Sequence, residues 1–135
     1  MKKTELVIII FVVNFFTINC KNAVPAAKME EGKKIYNTNC LGCHMENGMG
    51  VPRMNPALVN SPYVMGHPNG LIELVLRGSE FFGTAKRSYN NQMASFHALS
   101  DTDIANLLTY IRNTYAKTGD EISMDDVKNI RAKLK

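Results

Sequence analysis

Cys40-Leu41-Gly42-Cys43-His44 is the stretch around which the rest of this chain is organised. Two cysteines separated by two residues, with a histidine directly after, form the attachment pattern of a c-type haem. The spacing has a chemical reason. Haem carries two vinyl groups, and each sulfur can bond one of them as a thioether. A short helical turn points both sulfurs the same way, and the following residue sets an imidazole under the iron. His44 is thereby the expected proximal ligand. The competing readings of a cysteine pair are a thioredoxin-like redox motif and half of a zinc site. A closed zinc site needs four ligands, and no second cysteine pair exists. A thioredoxin motif would follow a βα pattern, whereas little of this chain alternates with a period of two.

At 135 residues the chain reads as one domain with an N-terminal extension. Its apolar content of 45% is ordinary for a globular protein, and it has no Trp. A core this small is marginal by itself. A buried porphyrin would supply a large apolar body to fold around. The formal net charge is +4. Loss of residues 1–19, with Lys2, Lys3 and Glu5, would leave +3. Two haem propionates would bring it to about +1. No basic stripe with interleaved aromatics is present, so nucleic acid is not an expected partner. The residual charge fits weak docking to acidic patches on a redox partner, and equally a merely solvated surface.

The N-terminus reads as an export signal. Met1-Lys2-Lys3 opens it, and the run from Leu6 to Ile18 is apolar apart from Asn14 and Thr17. That is a signal-peptide pattern, too short for a comfortable membrane span. The run ends at Thr17-Ile18-Asn19-Cys20, which resembles a bacterial lipobox. The expected organisation is a lipoprotein-type signal over 1–19, Cys20 as the lipidated mature N-terminus, a tether over 20–28 and a domain over 29–135. An uncleaved anchor and ordinary secretion are the alternatives. With Cys40 and Cys43 on haem, Cys20 is the odd cysteine of an exported chain and requires an explanation.

The domain reads as helical with long loops. Lys28 to Asn39 is the expected first helix, with Gly32, Tyr36 and Cys40 on one face. A mid-helix Gly is tolerated most easily where another backbone comes close. Gly and Pro punctuate 45–58, so regular structure is not expected there. Asn69-Gly70 opens a second helix, closed by Arg77-Gly78. Ser79 to Ala98 is irregular and contains Met93. Ser100-Asp101-Thr102-Asp103 and Ser123-Met124-Asp125-Asp126 are capping-box patterns that start two further helices. Their apolar stripes are Ile104, Leu107, Leu108 and Ile111, then Val127, Ile130 and Leu134. The acidic residues at these starts suit the helix dipole.

These pieces together resemble a class I cytochrome c from about Met29 to Lys135. Gly32 and Tyr36 match the glycine and aromatic of that family's N-terminal helix. Leu107 and Tyr110 match its C-terminal helix, which crosses the first at the glycine. Asn55-Pro56-Ala57-Leu58 matches the family's Pro-x-Leu. The resemblance implies that the Pro56 carbonyl accepts the second ring N–H of His44, fixing its tautomer, and that Leu58 packs on the haem. Gln92-Met93-Ala94-Ser95-Phe96 resembles the Met-Pro-x-Phe segment ahead of the last helix, with Ala94 in place of the proline. Met93 is then the distal ligand, a soft thioether that favours ferrous iron.

The chain has eight methionines, and Met49, Met54 and Met65 also follow the haem motif. Position relative to the family pattern selects Met93. His67 and His97 are the alternative nitrogen ligands, and Arg53 and Arg77 are candidate propionate partners. Gly48-Met49-Gly50-Val51-Pro52, Leu76-Arg77-Gly78, Leu107 to Arg112, Val127 and Arg131 further resemble c-haem modules that accompany quinoprotein dehydrogenases, copper nitrite reductases and oxidases.

The resemblance implies an all-α cytochrome c fold of about four to five helices with long loops around one covalently bound haem c. It implies a periplasmic, membrane-tethered carrier passing single electrons between redox proteins, and not an enzyme. A haem subunit docked permanently to a larger dehydrogenase or reductase is one alternative. A gas sensor or haem enzyme with a labile sixth ligand is another, for which Ala94 is the hint.

Overall fold

The computed structural model describes residues 23–83 and 89–134. The export segment and Cys20 lie outside the described residues. Six α-helices and no strand occur among them. Four helices are long: α1 (Ala26–Asn39), α4 (Pro68–Arg77), α5 (Asp101–Ile111) and α6 (Met124–Lys133). Two are single turns, α2 (Leu41–His44) and α3 (Pro62–Met65). A 3-10 turn, Gly78–Phe82, follows α4, and a π-helical turn, Arg112–Ala116, extends α5. The fold is all-α, as expected. Val51 and Asn55 form one isolated bridge in the Gly/Pro-rich loop.

The first helix begins at Ala26, two residues before the expected start. Pro25 sits at its N-cap, and its carbonyl accepts from Lys28 N–H and Met29 N–H. Proline has its φ preset at such a position, and the two alanines that follow are strong helix formers. Gly32, Tyr36 and Cys40 form one buried face, as their spacing predicts. There α1 crosses α5. A Cβ on Gly32 would run into the Asn106 carbonyl and come within 2.6 Å of the Tyr110 Cβ. The neighbouring helix leaves no room here for a side chain, which is why a helix-weakening residue sits in mid-helix. Tyr36, Tyr110 and Tyr115 fill the space beside the crossing with tilted and edge-on ring contacts.

The expected stripe on α5 is buried throughout. Its partner α6 buries Val127 and Ile130, while Leu134 is 37% exposed because it lies past the last turn, at the C-cap. At the start of α6, Ser123 and Asp126 close a full capping box. At the start of α5, Ser100 Oγ accepts from Asp103 N–H and donates to the Asp103 carboxylate, and the reciprocal bond is not made.

The π turn has its own purpose in the fold. It carries Arg112, which is buried. Its guanidinium donates to the Val64 and Gly66 carbonyls at 2.7 Å each and pairs with Asp120 at 2.6 Å. The carbonyls at the C-terminal end of α3 lack partners within their own helix, so this arginine satisfies them and ties α3 to the end of α5. Arg112 also holds the Asp120 carboxyl below its ordinary range.

Candidate functional site

A cavity of about 550 Å³ opens between α2, α3, α4 and the 89–96 segment. That volume falls in the ordinary range for small-molecule sites. Leu58, Val64, Leu71, Val75, Leu107 and Ile111 supply much of an apolar wall. Cys40, Cys43, His44, Pro56, Leu58 and Met93 all line it. Every described residue that the motif and the Pro-x-Leu and Met segments single out therefore reaches one space.

The cysteine pair sits where α1 runs into α2. Cys40 N–H bonds the Tyr36 carbonyl, and His44 N–H bonds the Cys40 carbonyl, so helical bonding continues through the motif. Both sulfur-bearing residues reach the cavity from this turn, Cys40 buried and Cys43 exposed. Burial pushes the Cys40 thiol up to about 12, with the neighbouring Cys43 adding to it. A thiol held protonated in this way is a poor nucleophile for thiol–disulfide exchange. No group of three or more His, Cys, Asp or Glu residues placed to hold a metal ion occurs among the described residues.

His44 Nδ1 lies 3.0 Å from the Pro56 carbonyl. A carbonyl can only accept, so the proton is on Nδ1 and Nε2 is left with its lone pair. Burial lowers the His44 pKa, and the bond to Pro56 partly offsets that effect. Burial thus favours the neutral imidazole, and the Pro56 bond fixes its proton on Nδ1, so that Nε2 is the nitrogen free to bind a metal. The carbonyl is placed by a tight loop. Gly50 N–H donates to the His44 carbonyl, and Gly50 has φ +63°. A Cβ there would come within 2.5 Å of the Asn55 and Pro56 carbonyl oxygens. Two tyrosines pin the start of the same loop: Tyr36 donates to the Met45 carbonyl at 2.6 Å, and Tyr115 to the Glu46 carbonyl at 2.9 Å. The motif announces the two cysteines and the histidine, but nothing in it announces this bracing.

Met93 is half-buried in an irregular segment docked along the end of α4. Phe96 N–H donates to the Val75 carbonyl and Ser95 Oγ to the Leu76 carbonyl, at 3.1 and 2.6 Å. These carbonyls belong to the last turn of a helix, where helical partners run out. Ser79 holds the backbone of Met93 itself. Sequence reasoning missed Ser79, which carried no signal beyond following the helix-ending glycine.

Met49, Met54 and Met65 are 56%, 44% and 55% exposed and do not line the cavity. His67 caps α4 by accepting from Asn69 N–H, and His97 pairs with Ser95. Neither lines the cavity, nor does Arg53 or Arg77. Arg77 is paired with Glu73 at 2.8 Å and donates to the Glu80 carbonyl.

The donor set fits a covalently held haem: two thiols on one turn, one neutral imidazole, one thioether, and apolar walls. No buried side-chain polar atom among the described residues lacks a hydrogen-bond partner, so the walls need no polar ligand to satisfy them.

Comparison with known proteins matches residues 29–115 to the Cytochrome c family. Cytochrome c-552 of Thermus thermophilus is 32% identical over 118 residues, covering 80% of this chain and 79% of that protein. The cytochrome c subunit of a quinone alcohol dehydrogenase from Gluconobacter oxydans is 30% identical over 103 residues, covering 74% of this chain but 22% of that subunit. Cytochrome c6 of Cyanidioschyzon merolae is 29% identical over 96 residues, covering 70% and 83% of the two chains.

Proposed function

Since this chain belongs to the cytochrome c family, as a class I c-type cytochrome with covalently bound haem c that takes part in electron transfer, we propose that it is a one-electron carrier with Cys40 and Cys43 as the thioether residues and His44 and Met93 as the axial ligands. The observation that supports this assignment is the convergence of all four on one apolar cavity.

When bound, the haem supplies an iron that cycles between ferric and ferrous states. The residues around it do the rest. Pro56 orients the His44 ring and leaves Nε2 free for the metal. Met93 would add a soft thioether donor from the 89–96 segment and so leave no site for a substrate on the metal. Leu58 and the apolar walls exclude water, which tunes the potential through burial. The bonds that hold the His44 ring and the Met93 backbone would limit how far the protein has to rearrange when the group changes oxidation state. On this reading the chain is a carrier and not an enzyme.

Replacing Met93 by Ala tests the assignment. The expected result is loss of the low-spin Met–iron spectrum and new binding of carbon monoxide by the reduced protein. An unchanged spectrum removes Met93 from the ligand set.

The finer reading places the protein outside the cytoplasm, in a bacterial periplasm, tethered through a lipid on Cys20. It is supported by the basic start, the apolar run and the terminal cysteine of residues 1–20. No helix among the described residues is long and apolar enough to cross a membrane. Mass spectrometry of the membrane fraction tests this: an acylated Cys20 at the mature N-terminus is expected, and an unmodified Cys20 within a longer chain overturns it. The partners would be redox proteins. The likeness to a dehydrogenase subunit favours a second reading, permanent docking to a larger enzyme. Co-purification with such an enzyme distinguishes that reading from a tethered shuttle.

A further inference from the structure

We infer that Gly78 and Ser79 are positioning residues for Met93, forming a seat that keeps its thioether on the metal and sets how readily the sixth position opens to an outside ligand. The inference rests on Met93 being that ligand.

Met93 lies outside every helix, so no repeating backbone ladder fixes it. Both polar groups of its backbone go instead to one residue. Met93 N–H donates to Ser79 Oγ at 2.7 Å, and Ser79 N–H donates to the Met93 carbonyl at 2.9 Å. Ser79 itself lines the cavity, so this pair of bonds sits at the site. Ser95 and Phe96 anchor the following residues to α4, but the bonds of Ser79 are the ones made to Met93's own backbone.

Gly78 makes the approach possible. It ends α4 with φ +61°, and a Cβ there would stand 2.5 Å from both the Met93 and the Ala94 carbonyl oxygens. Any other residue would push the segment off the helix end. A methionine side chain has three flexible torsions and finds its place by adapting. The backbone clamp therefore holds the root of that side chain at the cavity, and the side chain adapts from there.

The test uses the ferric holoprotein titrated with imidazole and followed by its visible spectrum. Imidazole must displace Met93 to bind. Ser79→Ala removes one bond of the seat and is expected to tighten apparent imidazole binding about tenfold. Ser79→Thr keeps the hydroxyl and is expected to bind imidazole as the parent does. Ser123→Ala loses a cap on the distant α6 and lowers stability, but is expected to leave imidazole affinity alone. Gly78→Ala should exceed Ser79→Ala wherever it matures, and the milder serine variants decide the matter if it does not. The seat is refuted if Ser79→Ala binds imidazole like the parent, if Ser123→Ala shifts affinity as much, or if Ser79→Thr behaves like Ser79→Ala. Met93→Ala separates the two levels of the argument. If it binds imidazole no better than the parent, the ligand assignment itself fails. If it binds far more tightly while Ser79→Ala does not, only the seat fails.

Discussion

His44 rides the last turn of a helix, whereas Met93 sits in a stretch with no regular backbone bonding. On the histidine side, α1 runs into α2 through the cysteines, and the loop beyond is braced by Pro56, Tyr36 and Tyr115. On the methionine side, a few bonds from Ser79, Ser95 and Phe96 tie an irregular segment to the end of one helix. The difference teaches where each side gets its rigidity. The histidine side is anchored in the α1–α5 crossing and shares the stability of the core. The methionine side borrows spare hydrogen-bonding groups at a helix terminus, bonds that no helical ladder reinforces.

Disrupting the crossing should have the largest effect. Gly32→Val puts a branched side chain where even a Cβ meets the Asn106 carbonyl. Overpacking of about 3 kcal/mol or more is expected, with little mature coloured protein recovered. Holoprotein yield and thermal denaturation measure it. A normal yield would mean the two helices can separate without disturbing the histidine side.

Arg112→Met comes next. It leaves the Val64 and Gly66 carbonyls and Asp120 without their partner, at an expected cost of about 3 kcal/mol in urea denaturation. The pH dependence carries a sign. Asp120 is held below its ordinary 3.8 by Arg112, so its pairing stabilises the fold fully above that value and is lost as pH falls through the lower native value. The parent should therefore lose stability below about pH 4 more steeply than the variant. Parallel acid limbs in the two proteins would contradict this.

Gly50→Ala is aimed at the histidine side alone. It forces a Cβ at φ +63° against the carbonyl that holds His44, and about 2 kcal/mol of destabilisation is expected. The spectrum should change with it, because the Pro56–His44 bond is disturbed. Destabilisation with an unaltered spectrum would show that this loop braces the fold and not the ligand.

The smallest effect is expected for Tyr115→Phe, which removes one bond to the Glu46 carbonyl and keeps the ring. About 1 kcal/mol is expected, with ligand spectra unchanged. A spectral change from so small a deletion would place the histidine side on the same loose footing as the methionine side.

Much of the fold was legible because its signals are local. The two serine caps, the apolar stripe of α5, and the buried face of Gly32, Tyr36 and Cys40 each follow from helical periodicity or terminal chemistry, and each is found. The single turn at 62–65 and the π turn at 112–116 were not legible. Arg112 joins them across 48 and 46 residues of sequence, and no local pattern encodes such a pairing. The methionines show the same boundary. Several stood downstream of the motif; residue type does not separate them, the family pattern selects Met93, and the fold puts Met93 on the cavity and Met49, Met54 and Met65 in solvent.

The sequence by itself determined what is set by bonds between near neighbours: a five-residue motif that forms one helical turn and offers two thiols and an imidazole together. Tertiary structure alone decided which serine clamps Met93 and how a buried arginine closes α3 against α5. Those contacts join segments from 14 to 48 residues apart. They form only after the chain has already paid the entropy of bringing distant pieces together, so they depend on the whole packed structure and on no single stretch of it.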